Sequence, residues 1–282
     1  MNKDLIIGAY TNYNWNQIKF WANSIDKCGF TGDKAVIVYN SDEDTVKKLS
    51  DLNFKVIVFN HDVVSKNYYW PHSNLVIVVQ RFYHLFQYLN TTENSYRYVI
   101  TTDVKDVVFQ TNPSLWLESN IGPSDHIVAS SESVKYKDEP WGNDNLQASY
   151  PMMYEELKEK TIWNCGVQAG RPQALKDLWL QIWFMCQTAG RHNPDQAAYN
   201  VLLNTIAYKK ITRFVYEDEG WASQAGTSAD PKKLAIFGSK LLGPSPMWNN
   251  GRSETTNGNP HCILHQYDRI PGWKADVEKI YG

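Results

Sequence analysis

The sequence predicts an α/β protein: a mixed, mostly parallel central sheet flanked by helices, one compact domain in two halves, residues 1–112 and 113–282. Two observations carry this expectation. Short runs rich in Val and Ile alternate with longer stretches whose apolar residues recur at three- and four-residue spacing, as buried strands and their crossover helices do. With 43% apolar and 21% charged residues in a 282-residue chain, a sizeable core is available.

Asp4–Tyr10 (DLIIGAY) reads as a buried strand, followed by a helix carrying Trp15, Ile18, Ala22 and Ile25 on one face. Lys34–Asn40 is the second strand. A helix capped near Ser41, with an acidic first turn, follows. Phe54–Asn60 is the third strand, and Asn74–Leu89 a helix on the spacing of Leu75, Val78, Val79, Phe82, Leu85, Phe86 and Leu89. Tyr98–Thr102 is the fourth strand. The first ~110 residues therefore read as a Rossmann-type half, in which ligands bind beyond the C-terminal strand ends. IIGAYTNYN lacks the glycine-rich dinucleotide fingerprint, which argues against a dehydrogenase. In the second half, His126–Glu132, Ile162–Gly170 and Ile211–Asp218 read as strands, and 172–186 and 194–206 as helices. The polar, turn-rich segment Ser245–Pro260 reads as a loop long enough to serve as a lid.

A net charge of −2 without a basic block argues against a nucleic-acid partner. No run approaches the ~20 apolar residues of a membrane helix, and MNKDLIIGAY is too short an apolar start for a signal peptide. A soluble, cytoplasmic protein is expected. Cys28, Cys165, Cys186 and Cys262 are scattered, so free thiols are expected rather than a zinc site or disulfides. The 17 Tyr and 11 Trp offer rings with an apolar face and a polar tip, suited to sugars and nucleobases as well as to a core.

Asp103 and Asp106 interrupt strand material, between Tyr98–Thr102 and the apolar Val107–Phe109. Along a continuing strand they would face opposite sides. If the strand ends at Thr102 they converge at the sheet edge, as a hard oxygen site for Mg²⁺ or Mn²⁺. The alternative on spacing alone is a turn with two solvated carboxylates.

Hydrophobic strand, acidic pair, short apolar run is a pattern that resembles the metal motif of GT-A glycosyltransferases. The usual Asp-x-Asp is one residue longer here; Asp106 aligns with its second aspartate and Asp103 approximately with its first. WNCGVQAG, with Asn164, Gly166 and Gly170, resembles the segment that walls the donor sugar in several such families, retaining family 8 among them. DQAAYN, with Asp195 and Gln196, is similar to the helix start that follows it, and His265 in CILHQYDR matches the late metal histidine. Arg81 sits where many such enzymes place an arginine toward the donor, and Ser130–Asn145 resembles a sugar-facing loop. In this order the matches span residues 1 to about 270.

The resemblance implies an enzyme that moves a hexose or pentose from a nucleotide-diphosphate sugar, UDP favoured over GDP, to a glycan or glycoconjugate, with a lean to retention. Asp103, Asp106 and His265 would hold Mn²⁺ (or Mg²⁺), with His261 competing for the histidine role. Ala9, Tyr10, Thr11, Arg81, Val104, Lys105 and Gly166 would border the donor, Tyr13 and Trp15 competing with Tyr10 for the base. Asp195, Gln196 and Asn164 would serve catalysis at the sugar, and Trp141, Trp221 or Trp248 could floor an acceptor. A soluble enzyme of this kind suits a bacterium or a large virus. Two other functions share parts of this pattern: a sugar nucleotidyltransferase, which needs a glycine-rich basic loop that GAYTNYNW hardly supplies, and a non-catalytic glycan-binding protein.

Overall fold

The computed structural model describes residues 3–59, 76–92, 96–190 and 193–282. β1 (Lys3–Tyr10), α1 (Trp15–Lys27), β2 (Asp33–Val38), α2 (Glu43–Asp51) and β3 (Phe54–Val58) open the chain. α3 (Ile77–Thr92), β4 (Tyr96–Thr102), β5 (Val107–Phe109), α4 (Pro113–Asn120), β6 (Ile127–Lys135), α5 (Pro140–Ser149) and α6 (Tyr154–Leu157) follow. Then come β7 (Thr161–Gly170), α7 (Pro172–Cys186), α8 (Asp195–Asn204), α9 (Ile206–Lys209), β8 (Thr212–Val215), β9 (Ala222–Gln224), α10 (Ala225–Ser228) and α11 (Pro231–Phe237). β10 (Met247–Asn249), β11 (Arg252–Glu254), β12 (Ile263–His265) and α12 (Pro271–Tyr281) complete it.

Seven strands form the main sheet in the order β3-β2-β1-β4-β7-β6-β8. Pairs β1·β2, β1·β4, β2·β3 and β6·β8 are parallel, while β7 runs antiparallel to both β4 and β6. The sheet is therefore mixed and mostly parallel, as the sequence predicts. Leu5, Ile6 and Ile7 in β1 are fully buried because helices cover both faces. On one face α1 buries Ile18, Trp21, Ala22 and Ile25, and the Trp21 indole donates to Thr102 Oγ1 at 2.9 Å. Truncating such a buried tryptophan costs roughly 3–5 kcal/mol. On the other face α3 packs Val79, Phe82, Leu85 and Leu89 into one cluster with Leu175, Leu178 and Trp179 of α7.

The chain runs outward from β1 to β2 and β3, then returns to β4 on the far side of β1. That reversal opens a crevice at the C-terminal ends of β1 and β4, where sheets of this kind take their ligands. A small sheet, β5-β12-β9, stands beside that edge. It pairs His265 with both Val107 and Gln224, so a residue from the chain's last quarter lies next to the bend that follows β4.

Several elements differ from expectation. The strand read at 211–218 is only Thr212–Val215. The helix read to residue 206 stops at Asn204, because Thr205 is extended and caps a separate turn, α9. Ser130–Asn145 is not a loop but the end of β6, a short 3-10 turn and the start of α5. Ser245–Pro260 holds the hairpin β10–β11. Its Ser253 is fully buried and exchanges two hydrogen bonds with the Gln110 amide, at 2.8 and 3.0 Å, so the segment is anchored structure rather than a free lid. Asn60, Asn74 and Leu75, which the sequence places at element ends, lie outside the described residues.

Candidate metal and ligand site

β4 ends at Thr102 and β5 begins at Val107, so residues 103–106 form a bend and the two aspartates converge. Two backbone bonds pin the bend: Asp103 N–H donates to Gly166 O, and Gln266 N–H to Asp106 O, each at 2.7 Å. Val104 packs over Gly8 of β1, where an added Cβ would lie 2.5 Å from its Cγ2. Gly166 is required for a similar reason: a Cβ there would lie 2.6 Å from Asp103 Oδ2 and 2.8 Å from His265 Cε1.

His265 enters from the end of β12, 1% exposed. Its Nε2 lies 3.6 Å from Asp103 Oδ2 and 3.7 Å from Asp106 Oδ1. One ligand atom from each of the three residues falls within 4.8 Å of the others. Two atoms bound to one ion at ~2.1 Å stand about 3–4 Å apart, so the spacing is close to that of a first coordination shell. The tautomer fits as well. His265 Nδ1 is 2.7 Å from the amide oxygen of the fully buried Gln224, which accepts from Nδ1–H and leaves the Nε2 lone pair facing the carboxylates. Nε2 itself is buried and has no hydrogen-bond partner among the described residues. These residues could hold a divalent metal ion.

Charge is concentrated around this point. Arg81 from α3 contacts Asp103 Oδ1 and, at 3.4 Å, Asp195 Oδ2. Burial favours the neutral Asp103 carboxyl, but the Arg81 guanidinium and His265 outweigh it and hold its pKa well below the usual range. Asp106 and Asp195 are raised, chiefly by burial and further by the Asp103 charge. Burial would lower the His265 pKa, yet Asp106 and Asp103 together raise it. A cation between the two aspartates would relieve the repulsion that lifts Asp106.

Two cavities meet here, and Arg81, Asp103 and Arg269 border both. The first, about 540 Å³, lies beyond the ends of β1 and β4. Ala9, Tyr10, Thr11, Val104, Lys105 and Asp106 line it, together with Tyr13, Tyr39, Ile77, Val78 and Asp268. Tyr10 is 3% exposed and its hydroxyl donates to Ser41, so the half-buried Tyr13, which stacks on it, offers more ring to a ligand. Trp15 lies outside this cavity, with the Lys48 ammonium over its ring. The second cavity, about 430 Å³, gathers Asn164, Gly166, Asp195, Gln196 and His265 with Glu132, Glu139, Trp141, Thr227, Lys233 and Gln266.

Of the residues named for donor, metal and sugar, all but Trp15, Gly170 and His261 border one cavity or the other. His261 is fully buried, its ring nitrogens held by Ser253 Oγ at 3.1 Å and Glu217 O at 2.9 Å. Asn164 borders the second cavity but is already engaged, donating to Glu132 Oε1 at 2.9 Å and accepting from Gly166 N–H at 2.8 Å. Gly170 serves packing, since a Cβ there would sit 2.2 Å from His126 O. Trp221 is buried against Trp116, and Trp248 stacks on Trp273 beside a separate hollow. No residue of 245–260 lines either cavity.

Gln224 and Lys233 are candidate-site residues that the sequence does not signal, since they join the site only through tertiary packing; Glu132 and Arg269 lie inside the segments Ser130–Asn145 and CILHQYDR without standing out there. The four cysteines are free, as expected. No helix among the described residues is long and apolar enough to cross a membrane. No family model matches the chain, and no curated protein matches it.

Proposed function

We propose that this protein is a metal-dependent glycosyltransferase of GT-A type, moving a sugar from a nucleotide-diphosphate sugar to a hydroxyl acceptor. One observation carries the reading: the orphaned, buried Nε2 of His265 faces two converging carboxylates where the two cavities meet. The first cavity takes the nucleoside, with Tyr13 against the base and Thr11, whose buried hydroxyl has no partner, toward its polar edge. Asp103, Asp106 and His265 would hold the metal; their two oxygens and one imidazole nitrogen favour Mn²⁺ over Mg²⁺. When bound, such an ion would supply positive charge for the diphosphate leaving group.

The remaining chemistry falls to the chain's own side chains. Arg269 and Lys105 stand beside the same corner and offer N–H donors to the phosphates. Asp195, held by Arg81, presents negative charge to the cationic sugar, and Gln196 orients it. The bond from sugar C1 to the diphosphate oxygen breaks and its electron pair leaves with the diphosphate. The acceptor oxygen bonds to C1, and its proton passes to the released phosphate oxygen. Retention is the favoured outcome because the Asn164–Gly170 and Asp195–Gln196 segments resemble those of retaining families.

The test is an assay of UDP- and GDP-sugars for release of nucleoside diphosphate, with Mn²⁺ or with a chelator, reading the product's anomeric configuration by NMR. Metal-dependent release from one nucleotide class is expected. Absence of release and of binding for every donor would overturn the proposal.

A further inference from the structure

The second cavity carries a feature that donor chemistry does not use. Trp141 is 46% exposed although it borders a cavity otherwise walled by polar and charged side chains. Among the described residues lining that cavity it is the one large aromatic ring. Its position is fixed by the start of α5. Glu139 caps the helix by accepting from Gly142 N–H, Pro140 presets the first helical φ, and Lys233 Nζ holds the other Glu139 oxygen at 2.6 Å. Lys233 is the anchored partner, with its ammonium also over the Phe237 ring, yet of its three donors only one has a hydrogen-bond acceptor among the described residues. Gln266 borders the same cavity, and its buried Oε1 has no partner among the described residues.

An apolar ring face beside spare donors and a spare acceptor matches one kind of ligand, a ring with an apolar C–H face and a hydroxyl rim. Its charge can be read from the pairing. Glu139 compensates Lys233, and both Glu132 oxygens are bonded, by Asn164 Nδ2 at 2.9 Å and Thr227 Oγ1 at 2.8 Å. Among the described residues that line this cavity the cations are Lys233, paired with Glu139, Arg81, paired with Asp103 and Asp195, and Arg269, which the proposed reaction commits to the diphosphate, so none is left to capture a sugar acid.

We infer that Trp141, with the Glu139–Lys233 pair, forms the acceptor subsite and that it takes a neutral pyranose, stacked by its C–H face on the indole while Lys233 and Gln266 bond its hydroxyls. This rests on the glycosyltransferase reading for the name acceptor, but the sugar subsite itself can be tested without turnover.

The experiment is saturation-transfer NMR on the full chain loaded with diamagnetic Mg²⁺. The probes are the neutral methyl glycosides of glucose, galactose, mannose and N-acetylglucosamine, with glucuronic acid and N-acetylneuraminic acid as charged probes. At least one neutral glycoside should receive saturation, strongest on the protons of one ring face. Trp141→Ala should abolish it, Lys233→Met should weaken binding about tenfold, and Tyr13→Ala in the other cavity should leave it unchanged. A thermal melt and a calorimetric nucleotide titration of each variant separate local from global effects. Saturation of no neutral glycoside, of the acids alone, or equally in Trp141→Ala would overturn the subsite. If sugars behave as expected but no nucleotide binds the wild type, the subsite stands and the transferase reading falls.

Discussion

His261 and His265 lie four residues apart, the first two residues before β12 and the second at its end, and are both almost fully buried, yet their surroundings differ completely. The region around His261 is closed: both ring nitrogens have partners, and the Gln110 amide ties Ser253 and the His261 carbonyl together. The region around His265 is open at one atom. Nδ1 is spent on Gln224 while Nε2 has no hydrogen-bond partner among the described residues and faces Asp103 and Asp106. A buried nitrogen left without a hydrogen bond costs roughly 1–3 kcal/mol, a cost that fits a position kept for a ligand. Burial therefore does not separate a structural histidine from a metal ligand; the satisfaction of its second nitrogen does.

Exchanging the two roles should fail in opposite ways. His265→Ala should weaken Mn²⁺ binding by at least ~100-fold, read by the EPR signal of free Mn²⁺, because the only nitrogen ligand is gone. His261→Ala should leave Mn²⁺ affinity within about twofold but destabilise the fold by ~2–4 kcal/mol, since it strands Ser253 and the Glu217 carbonyl in the interior. Chemical denaturation of the metal-free protein measures that loss, and a smaller loss is expected for His265→Ala.

Gln224 sharpens the contrast from one shell further out. Gln224→Leu removes the acceptor that sets the His265 tautomer and should weaken Mn²⁺ about 10- to 100-fold, while Gln224→Glu, which keeps an acceptor, should restore most of the affinity. Equal Mn²⁺ affinity in wild type and Gln224→Leu would break the link between tautomer and metal.

The smallest effect belongs to the closed region. Burial raises the pKa of Glu217, against the lowering pull of His261 and of the neighbouring Ser223 and Ser228 hydroxyls. A carboxyl raised in the folded state binds its proton more tightly there than in the unfolded chain. Stability from this group is therefore present below the unfolded value of about 4.3 and is lost as pH rises through the folded pKa. Glu217→Gln should then stabilise the protein by about 1 kcal/mol at neutral pH, and the gain should vanish toward acid. Thermal melts across pH check the sign; a gain that grew toward acid would contradict it.

Much of this was legible in the sequence because local pattern carried it. The Val- and Ile-rich runs located the first four strands, and the interruption at Asp103–Asp106 marked the sheet edge. Arg81, Asp195 and His265 were found through the order of motifs. What local pattern could not supply is partnership across the chain. Gln224 reaches the candidate metal site only because β9 pairs with β12, and His261 stays out of it because Glu217 and Ser253 close around its ring. Trp141, Trp221 and Trp248 were equivalent as letters; packing buries the second, stacks the third on Trp273 beside a separate hollow and leaves the first at the cavity that Asp103 and His265 border. The polar residues at 245–260 looked like a lid because a hairpin held by Gln110 from more than a hundred positions away has no local signature.

The most direct measurement is a calorimetric titration of the wild-type protein and of Asp106→Ala with UDP and with GDP, each with Mn²⁺ and with chelator. Binding of one nucleotide that requires both the metal and Asp106 is the expected result. Nucleotide binding indifferent to metal and to Asp106, or no binding under any condition, would contradict a metal-assisted donor site at this sheet edge.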